Sequence, residues 1–321
     1  NLSRINGFSR RTKIMLTVRN LKVSFEAPVF SDVSFSLRPG VMYGIVGESG
    51  AGKSSLLKVI AGFLDPDHGE LLLDEVQLPY ASQKLVPGRS SIAYVPQDFQ
   101  LDPYHTVEEN VREAILSYPE PKRQSKVSEV LTYLNLKKHV NKQAKFLSGG
   151  EKQRLAIARA LVTEPAWLLL DEPFAHLDFA RKNALLTYLK GLLASREIGV
   201  MVVSHEAHDL LALCSKIAIL SRGKLSAFKK VPHVYYSLKN LKDARLLGWV
   251  NVLLYKGKSY RFRPNQFVLD PNGIPLLMIH CYFNGLTFVH EYQSLDKERV
   301  VLFSQVKLSE KIKININGHE A

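Results

Sequence analysis

At the centre of this sequence stands Gly47-Glu48-Ser49-Gly50-Ala51-Gly52-Lys53-Ser54, which follows the phosphate-binding loop pattern G-x-x-x-x-G-K-S. Residues 41–46, directly before it, are a short apolar run typical of a buried parallel strand. Apolar residues recur after it at helical spacing, which predicts a helix that begins at about Lys53. Strand, glycine loop and helix are the context that the pattern requires, so we interpret the loop as a polyphosphate site and not as a plain glycine-rich turn.

The residue types in this loop suit phosphate chemistry. Glycines let successive backbone N–H groups turn inward without a Cβ clash, and the helix N-terminus behind them favours negative charge. Lys53 is placed to reach β- and γ-phosphates, and the hydroxyl of Ser54 is suited to bind Mg²⁺. We therefore expect a nucleotide polyphosphate with its magnesium ion at this loop.

Length and charge set broad bounds. The 321 residues predict two domains, and 43 Lys and Arg against 30 Asp and Glu give a formal charge of +13. That excess favours anionic partners, namely a nucleotide, a nucleic acid or an anionic membrane face, but does not choose among them. The two cysteines, Cys214 and Cys281, lie far apart, which argues against a disulfide framework and fits a reducing compartment. No apolar run approaches the ~18–20 residues of a transmembrane helix, so any membrane role must come through a partner.

The pattern of the chain predicts an α/β fold. An antiparallel β piece precedes the loop, residues 98–160 are predominantly helical, and strands that alternate with helices follow, which indicates a parallel sheet. We predict a nucleotide-binding domain over residues 15–230, with a helical subdomain at about 98–160. Residues 1–14 lack acids and do not start with Met, so we interpret them as a vector-derived remnant or a disordered tail and not as a transit peptide.

Residues 231–321 are predicted to form a small all-β, barrel-like domain after an opening helix. The helix is expected to begin at Pro232 and to end near Leu247-Gly248. Short β-like runs punctuated by Gly and Asn follow it. These runs are residues 250–255, 259–262, 267–269, 276–283, 287–292, 300–304 and 311–316.

Two carboxylates follow the apolar run of residues 167–170. Asp171 is predicted to hold Mg²⁺, directly or through water, and Glu172 to act as base on the attacking water. A pair of acids after a strand could also be a solvated strand end. Downstream of a phosphate loop, however, it is the expected second half of a nucleotide hydrolase site.

The run Leu147-Ser148-Gly149-Gly150-Glu151 points to a family. LSGGE, with the Lys-Gln-Arg and the helix that follow it, resembles the signature of ATP-binding cassette (ABC) proteins. The motif again places hydrogen-bond donors at a helix N-terminus, where a hydroxyl and backbone N–H groups can face a γ-phosphate. The resemblance covers about residues 16–224. It implies a P-loop NTPase (RecA-like) core with an antiparallel β-subdomain and a helical subdomain, and ATP hydrolysis in a homodimer that sandwiches two ATP molecules.

The resemblance also assigns roles to single residues. It implies that Gln97 senses Mg²⁺, that His205 contacts the γ-phosphate, and that Phe25 stacks on adenine. It places Asp178, in the loop that crosses the dimer interface, beside the partner's ATP. The residues expected to bind ATP within one chain are Phe25, Gly47, Glu48, Ser49, Gly50, Ala51, Gly52, Lys53, Ser54 and Ser55. The Mg²⁺ ligands are Ser54, Gln97 and Asp171; the catalytic residues are Glu172 and His205; the residues that contact ATP in trans are Ser148, Gly149, Gly150 and Asp178.

A weaker resemblance concerns the C-terminal third. Ala244-Arg245-Leu246-Leu247-Gly248, and Arg263-Pro264 before a strand, are similar to the regulatory (TOBE, oligonucleotide/oligosaccharide-binding-like) domain of many bacterial importers. The implied function is the ATPase subunit of an importer, with separate transmembrane permease subunits, peripheral at the cytoplasmic face of a bacterial inner membrane. Residues 98–116 are expected to form much of the permease docking surface.

Two alternatives stay open at this point. One is the ATPase of an exporter or a lipoprotein-release system, against which the extra C-terminal domain argues. The other is a soluble ABC protein of translation or DNA repair, which usually carries two cassettes or large coiled-coil insertions. We predict no metal site at His205, His208 and Cys214, because their spacing is irregular. No nucleic-acid site is predicted either, since the basic tail lacks interleaved aromatics.

Overall fold

The computed structural model describes residues 14–175, 177, 179–195 and 198–316. The described chain divides into two compact units, one up to Lys230 and the other from Val231 onward. The first unit contains two sheets, and the second contains a hairpin and a separate antiparallel sheet. The α/β fold class predicted from the sequence is confirmed.

The smaller sheet of the first unit is antiparallel, in the order β2-β1-β4-β5. Its strands are β1 (Leu16–Ser24), β2 (Pro28–Leu37), β4 (His68–Leu73) and β5 (Val76–Gln77). The larger sheet has the order β10-β9-β3-β8-β7-β6, with β11 also paired to β9. Its strands are β3 (Met42–Val46), β6 (Ile92–Val95), β7 (Trp167–Asp171), β8 (Gly199–Ser204), β9 (Lys216–Ser221), β10 (Lys224–Leu225) and β11 (Lys229–Lys230).

The parallel part of the larger sheet brings the carboxyl ends of five strands, β9, β3, β8, β7 and β6, to one edge. Every residue of β3, β7 and β8 is buried, which is why their sequences are continuous apolar runs. The register pairs Val46 with Ser204, Val203 with Asp171, and Leu170 with Val95. The residues that follow these positions therefore meet at this edge, as they do in open α/β sheets generally.

Helices pack around this sheet and within the helical subdomain. They are α1 (Lys53–Ala61), α2 (Val107–Arg112), α3 (Glu120–Tyr133), α4 (Gly149–Leu161), α5 (Phe179–Ser195) and α6 (Ala207–Leu213). Helix α1 begins at Lys53 as predicted, after Gly52 at φ 95°. A Cβ on Gly52 would lie 2.5 Å from Val29 Cγ1, so both the backbone angle and the space require glycine. Thr106 and Glu109 cap α2 reciprocally, as their spacing predicts.

The second unit begins with two short helices and not with the single helix predicted up to Leu247. They are α7 (Val231–Tyr235) and α8 (Leu241–Leu246). Asn240 ends the intervening segment because its side chain accepts hydrogen bonds from the N–H groups of Lys242 and Asp243, which starts a new helix. The buried Arg263 guanidinium donates to the backbone carbonyls of Tyr235 before α8, Ala244 within it and Gly248 after it.

The strands of the second unit form a hairpin, β12-β13, and a sheet in the order β16-β15-β14-β17. They are β12 (Asn251–Tyr255), β13 (Lys258–Phe262), β14 (Phe267–Phe283), β15 (Phe288–Ser294), β16 (Arg299–Ser304) and β17 (Lys311–Ile316). The runs 267–269 and 276–283, predicted as separate, belong to the one strand β14. Residues 270–273 bulge out, since Leu269 and Ile274 both pair with Ile314. A Cβ on Gly273 would lie 2.2 Å from the Ile314 carbonyl oxygen, so glycine is needed there.

Candidate active site

The side chain of Lys53 folds back over the phosphate loop. Its Nζ donates to the carbonyl oxygens of Gly47 at 2.9 Å and Glu48 at 3.0 Å, and it lies 3.8 Å from Glu172 Oε1. Burial lowers the pKa of the Lys53 ammonium, while the carboxylates of Glu172 and Asp171 act in the opposite direction. A phosphate in the loop would offer this cation a charged acceptor, which makes a stronger hydrogen bond than a neutral carbonyl.

Asp171 is held at the end of β7 by two hydroxyl donors. Ser54 Oγ donates to its Oδ1 at 3.0 Å, and Tyr94 Oη donates to its Oδ2 at 2.8 Å. Burial, and then the charge of Asp171, raise the pKa of Tyr94, so this hydroxyl stays protonated and acts as a donor. The pair Ser54 and Asp171 offers adjacent hydroxyl and carboxylate oxygens, which are the ligand types that Mg²⁺ takes beside substrate phosphates. The residues present therefore fit that ion.

Glu172 and His205 form a second pair at the same edge. The backbone N–H of His205 donates to Glu172 Oε1 at 2.9 Å, and His205 Nδ1 lies 3.0 Å from Glu172 Oε2. Glu172 has φ 48°, an unusual angle for a residue with a side chain, and only 10% of its side chain is exposed. A strained, largely buried carboxylate beside an imidazole is an arrangement that can take a proton from water.

Gln97 and Phe25 lie where solvent and ligands can reach them. Gln97 is exposed two residues beyond β6, at the edge that carries Asp171 on the neighbouring strand β7. Among the described residues, no hydrogen bond joins Gln97 to Ser54 or Asp171. Phe25 follows β1 and is 64% exposed, so it is not a core residue and its ring is free to stack.

In the described part of the chain, the side-chain hydrogen bonds of the signature turn, residues 147–151, join Ser148 and Glu151 to each other. Ser148 is the N-cap of α4: its Oγ accepts from the N–H of Glu151 at 3.4 Å, and its own N–H donates to Glu151 Oε2 at 2.8 Å. His139 Nε2 lies 3.2 Å from the other carboxylate oxygen of Glu151. A Cβ added at Gly149 would meet no atom within 4 Å, so the approach to the turn is open.

Two contacts that tie these parts together were not predicted. One is the Tyr94–Asp171 hydrogen bond described above. The other joins the buried Gln153, on the signature helix α4, to the carbonyl of Pro173, which follows Glu172. Gln153 lies in the Lys-Gln-Arg run after the signature, and Tyr94 lies three residues before Gln97, yet the partners of both are distant in sequence. Asp178 lies outside the described residues.

Comparison with known proteins decides the family. The family model for ABC transporters matches residues 30–175. The molybdate/tungstate import ATP-binding protein WtpC of Pyrococcus abyssi is 33% identical over 270 residues, which are 82% of this chain and 74% of that protein. The chain belongs to the ABC transporter ATP-binding proteins.

Further proteins similar to this ABC ATPase belong to other transport systems. The putrescine transport ATP-binding protein PotG of Escherichia coli is 31% identical over 81% of this chain and 68% of that protein. The solved structure of CbiO1 from Clostridium perfringens, part of the ABC transporter complex CbiONQ, matches with a TM-score of 0.63 at 26% identity. It covers 70% of this chain and 91% of that one. The predicted ATP binding and ATPase activity are therefore confirmed.

The family match and the structure are complementary. The matched residues 30–175 contain the phosphate loop, the signature and the Asp171-Glu172 pair, but neither Phe25 nor His205. The contact of His205 with Glu172 comes from the structure alone. Within the described part of the chain, no helix of this ABC ATPase is long and apolar enough to cross a membrane.

Proposed function

We propose that this ABC ATPase energises import through separate transmembrane permease subunits, at the cytoplasmic face of a bacterial inner membrane. The names of its relatives support import, because WtpC and several others are import ATP-binding proteins. They differ in substrate, among them molybdate or tungstate, spermidine or putrescine, and glucose. The proposal assigns residues 15–230 to the nucleotide-binding domain, with its helical subdomain at about 98–160, and residues 231–321 to a regulatory, TOBE-like domain.

One observation carries the proposed mechanism. Ser54 bonds to Asp171 and His205 contacts Glu172 at the phosphate loop, whereas Ser148, in the described part of the chain, bonds to Glu151 within its own turn. A homodimer would bring the signature of one copy to the phosphate loop of the other. Ser148, Gly149 and Gly150, with Asp178, would then contact the ATP held by the partner. Domain closure of this kind takes place in microseconds to milliseconds.

Within each site the residues divide the work. Residues 47–55 would cradle the phosphates of ATP, and Phe25 would stack on its adenine. Ser54 and Asp171, with Gln97 nearby, would hold Mg²⁺, which supplies charge neutralisation between the β- and γ-phosphates when bound. Glu172 would accept the proton of the water that attacks the γ-phosphorus, and His205 would orient Glu172 and contact the γ-phosphate.

A cleft in the first unit supports the docking of a membrane subunit. The cleft of about 1120 Å³ is lined by Phe99 and Glu113–Ile115, which come from the predicted docking surface of residues 98–116. Leu85 and Val86 also line it, and Leu85 is fully exposed while Val86 is 75% exposed. Exposed apolar residues around a concave surface are typical of a protein interaction site.

Reconstitution in lipid vesicles tests the direction of transport. The chain would be purified with its membrane subunits and placed in vesicles so that added ATP reaches only complexes whose ATPase faces outward. Import predicts that molybdate, putrescine or glucose preloaded in the lumen leaves toward the ATPase side when ATP is added. Movement from the outer solution into the lumen, away from the ATPase, would instead assign an exporter. A Glu172→Gln complex provides the control without hydrolysis.

A further inference from the structure

Tyr94 connects two parts of the molecule that have different proposed roles. Its hydroxyl donates to Asp171 Oδ2 at 2.8 Å, and its ring lines the cleft of about 1120 Å³. In the cleft the ring packs against Phe63, with ring centroids 5.9 Å apart. Tyr94 pairs with Leu169 on the adjacent parallel strand, two residues before Asp171. A phenol ring is long enough to reach the carboxylate from this position, whereas a shorter side chain is not.

The Tyr94 hydroxyl completes the fixation of the Asp171 carboxylate. Ser54 occupies Oδ1, so without Tyr94 the group would have one hydroxyl donor and could rotate about its last torsion. In metal sites, partners that hydrogen-bond a ligand fix its orientation, and their removal typically costs about 10–100-fold in metal affinity or activity. The hydrogen bond is part-buried, its acceptor Asp171 is buried, and its length of 2.8 Å is that of a well-formed O–H···O bond between residues 77 positions apart.

We propose that Tyr94 is a positioning residue for the metal-binding carboxylate, and that it is the contact through which occupancy of the cleft reaches the metal site. The inference rests on the proposed role of Asp171 as a Mg²⁺ ligand. Phe63 lines the cleft and is 51% exposed, so a segment that enters the cleft can press on its ring. A tilt of the neighbouring Tyr94 ring changes the distance between its hydroxyl and Asp171.

The test measures Mg²⁺ binding without relying on turnover. Binding of a fluorescent N-methylanthraniloyl derivative of ATP is titrated with Mg²⁺ in the full chain and in Tyr94→Phe, which keeps the ring and removes the hydroxyl. In Tyr94→Phe we expect the Mg²⁺ concentration that gives half of the Mg²⁺-dependent increase in nucleotide binding to rise about tenfold. Nucleotide affinity in the absence of Mg²⁺ should be unchanged. Tyr80→Phe is the matched control, because it also removes one part-buried tyrosine hydrogen bond of 2.8 Å, to the carbonyl of Gly69.

Three results would overturn the positioning role. They are an unchanged Mg²⁺ requirement in Tyr94→Phe, an equal shift in Tyr80→Phe, and a loss of nucleotide affinity that is the same with and without Mg²⁺. Asp171→Asn separates this inference from the proposed function. If Asp171→Asn leaves the Mg²⁺ requirement unchanged, the metal assignment fails; if Asp171→Asn shifts it and Tyr94→Phe does not, only the role of Tyr94 fails.

A double-mutant cycle tests the link to the cleft. Phe63→Ala keeps the Tyr94 hydroxyl but removes the neighbour that holds the ring, so we expect a smaller shift in the same direction. In the Tyr94→Phe background the same substitution should add nothing, because the bond it acts on is already absent. Equal shifts in both backgrounds, or no shift in the parent chain, would overturn the link.

Discussion

Two regions of the first unit differ in how far apart in sequence their contacting residues lie. One is the phosphate-loop edge, where the phosphate loop meets Asp171 and Glu172, and the other is the signature turn around Ser148. At the edge, Ser54 contacts Asp171, which is 117 residues away in sequence, and Lys53 lies 3.8 Å from Glu172, the next residue. At the turn, Ser148 bonds to Glu151, three residues away, and the space above Gly149 is open. Both place glycines at a helix N-terminus, so both are suited to a phosphate.

This difference indicates which half of the site is ready before a partner arrives. The edge is preassembled, because its charged groups already have partners that an incoming phosphate can replace. Among the described residues, no atom lies within 4 Å of a Cβ built on Gly149, so the turn is open on that side. We therefore expect substitutions at the edge to abolish functions of the single chain, and substitutions at the turn to affect only the assembled dimer.

The largest effect is expected at Glu172. Glu172→Gln keeps the shape of the side chain and the Mg²⁺ ligands but removes the base, so turnover should fall about 10²–10⁴-fold while ATP still binds. Steady-state phosphate release and equilibrium ATP binding measure the two quantities. Turnover at the rate of the parent protein would exclude Glu172 as the base.

A large effect on nucleotide affinity should distinguish the two regions. Lys53→Ala removes a charged donor at the phosphates, which is worth about 1.5–3 kcal/mol, or roughly 10- to 100-fold in affinity. Ser148→Arg fills the open turn and should leave ATP binding by the monomer unchanged. Titration of both variants at concentrations where the chain is monomeric checks this. Equal losses of affinity would contradict the assignment of the turn to another copy's ATP.

Removal of the second unit tests whether residues after Lys230, outside the phosphate-loop edge and the signature turn, are needed for ATP hydrolysis. The chain ended after Lys230 keeps β11, which pairs with β9, and all the site residues. We expect its ATPase rate to match that of the full chain. A shortened chain that stays folded but loses its ATPase would refute this modular division.

Sedimentation of both chains without nucleotide then sharpens the role of the second unit. If that unit holds two copies together, the full chain is a dimer and the shortened chain a monomer. A full chain that is monomeric without ATP would exclude the dimerising role.

The smallest effect concerns the local bonds of the turn. Glu151→Ala removes the reciprocal cap of Ser148 and should weaken the ATP-dependent dimer by about 0.5–2 kcal/mol, the usual value of a helix cap. Glu151→Gln keeps the cap and is the matched control. Sedimentation with ATP measures the dimer affinity, and an unchanged affinity in Glu151→Ala would show that the cap does not position Ser148.

This capping contribution should also depend on pH. The Ser148 N–H, and more weakly His139, lower the pKa of Glu151 below its usual 4.5. The charged carboxylate therefore stabilises the fold above about pH 4.5, and this contribution is lost as the pH falls through the lowered value. The stability difference between the parent chain and Glu151→Gln should follow that course in acid unfolding experiments.

The sequence predicted the parts of the site that are contiguous in the chain. The phosphate loop, the Asp171-Glu172 pair and the signature each carry their own local signal of strand end, glycine turn and helix start. The Tyr94–Asp171 and Gln153–Pro173 contacts depend on which strands and helices become neighbours, and no local pattern contains that information. These residues lie in or beside the predicted motifs, but the contacts between them were not predicted.

Two predictions for the second unit were wrong, one for its helix and one for its longest strand, and each has a cause in the local structure. The single helix predicted from Pro232 to Leu247 is in fact two helices. The side chain of Asn240 accepts hydrogen bonds from the N–H groups of Lys242 and Asp243, and this capping competes with continuation of the first helix. Residues 270–273, Asp-Pro-Asn-Gly, have the composition of a turn that ends a strand. They form a bulge within β14 because Ile314 on β17 pairs on both sides of them.

The central claim, that two chains share each ATP site, is tested most directly by mixing two variants in the Glu172→Gln background, where bound ATP is not consumed. One chain carries Lys53→Ala and the other Ser148→Arg. We predict that neither forms a dimer with ATP by itself. The mixture should form a heterodimer with one ATP per two chains, because only the intact loop of one chain meets the intact signature of the other. An ATP-dependent dimer of Ser148→Arg by itself, or no dimer in the mixture, would contradict the account.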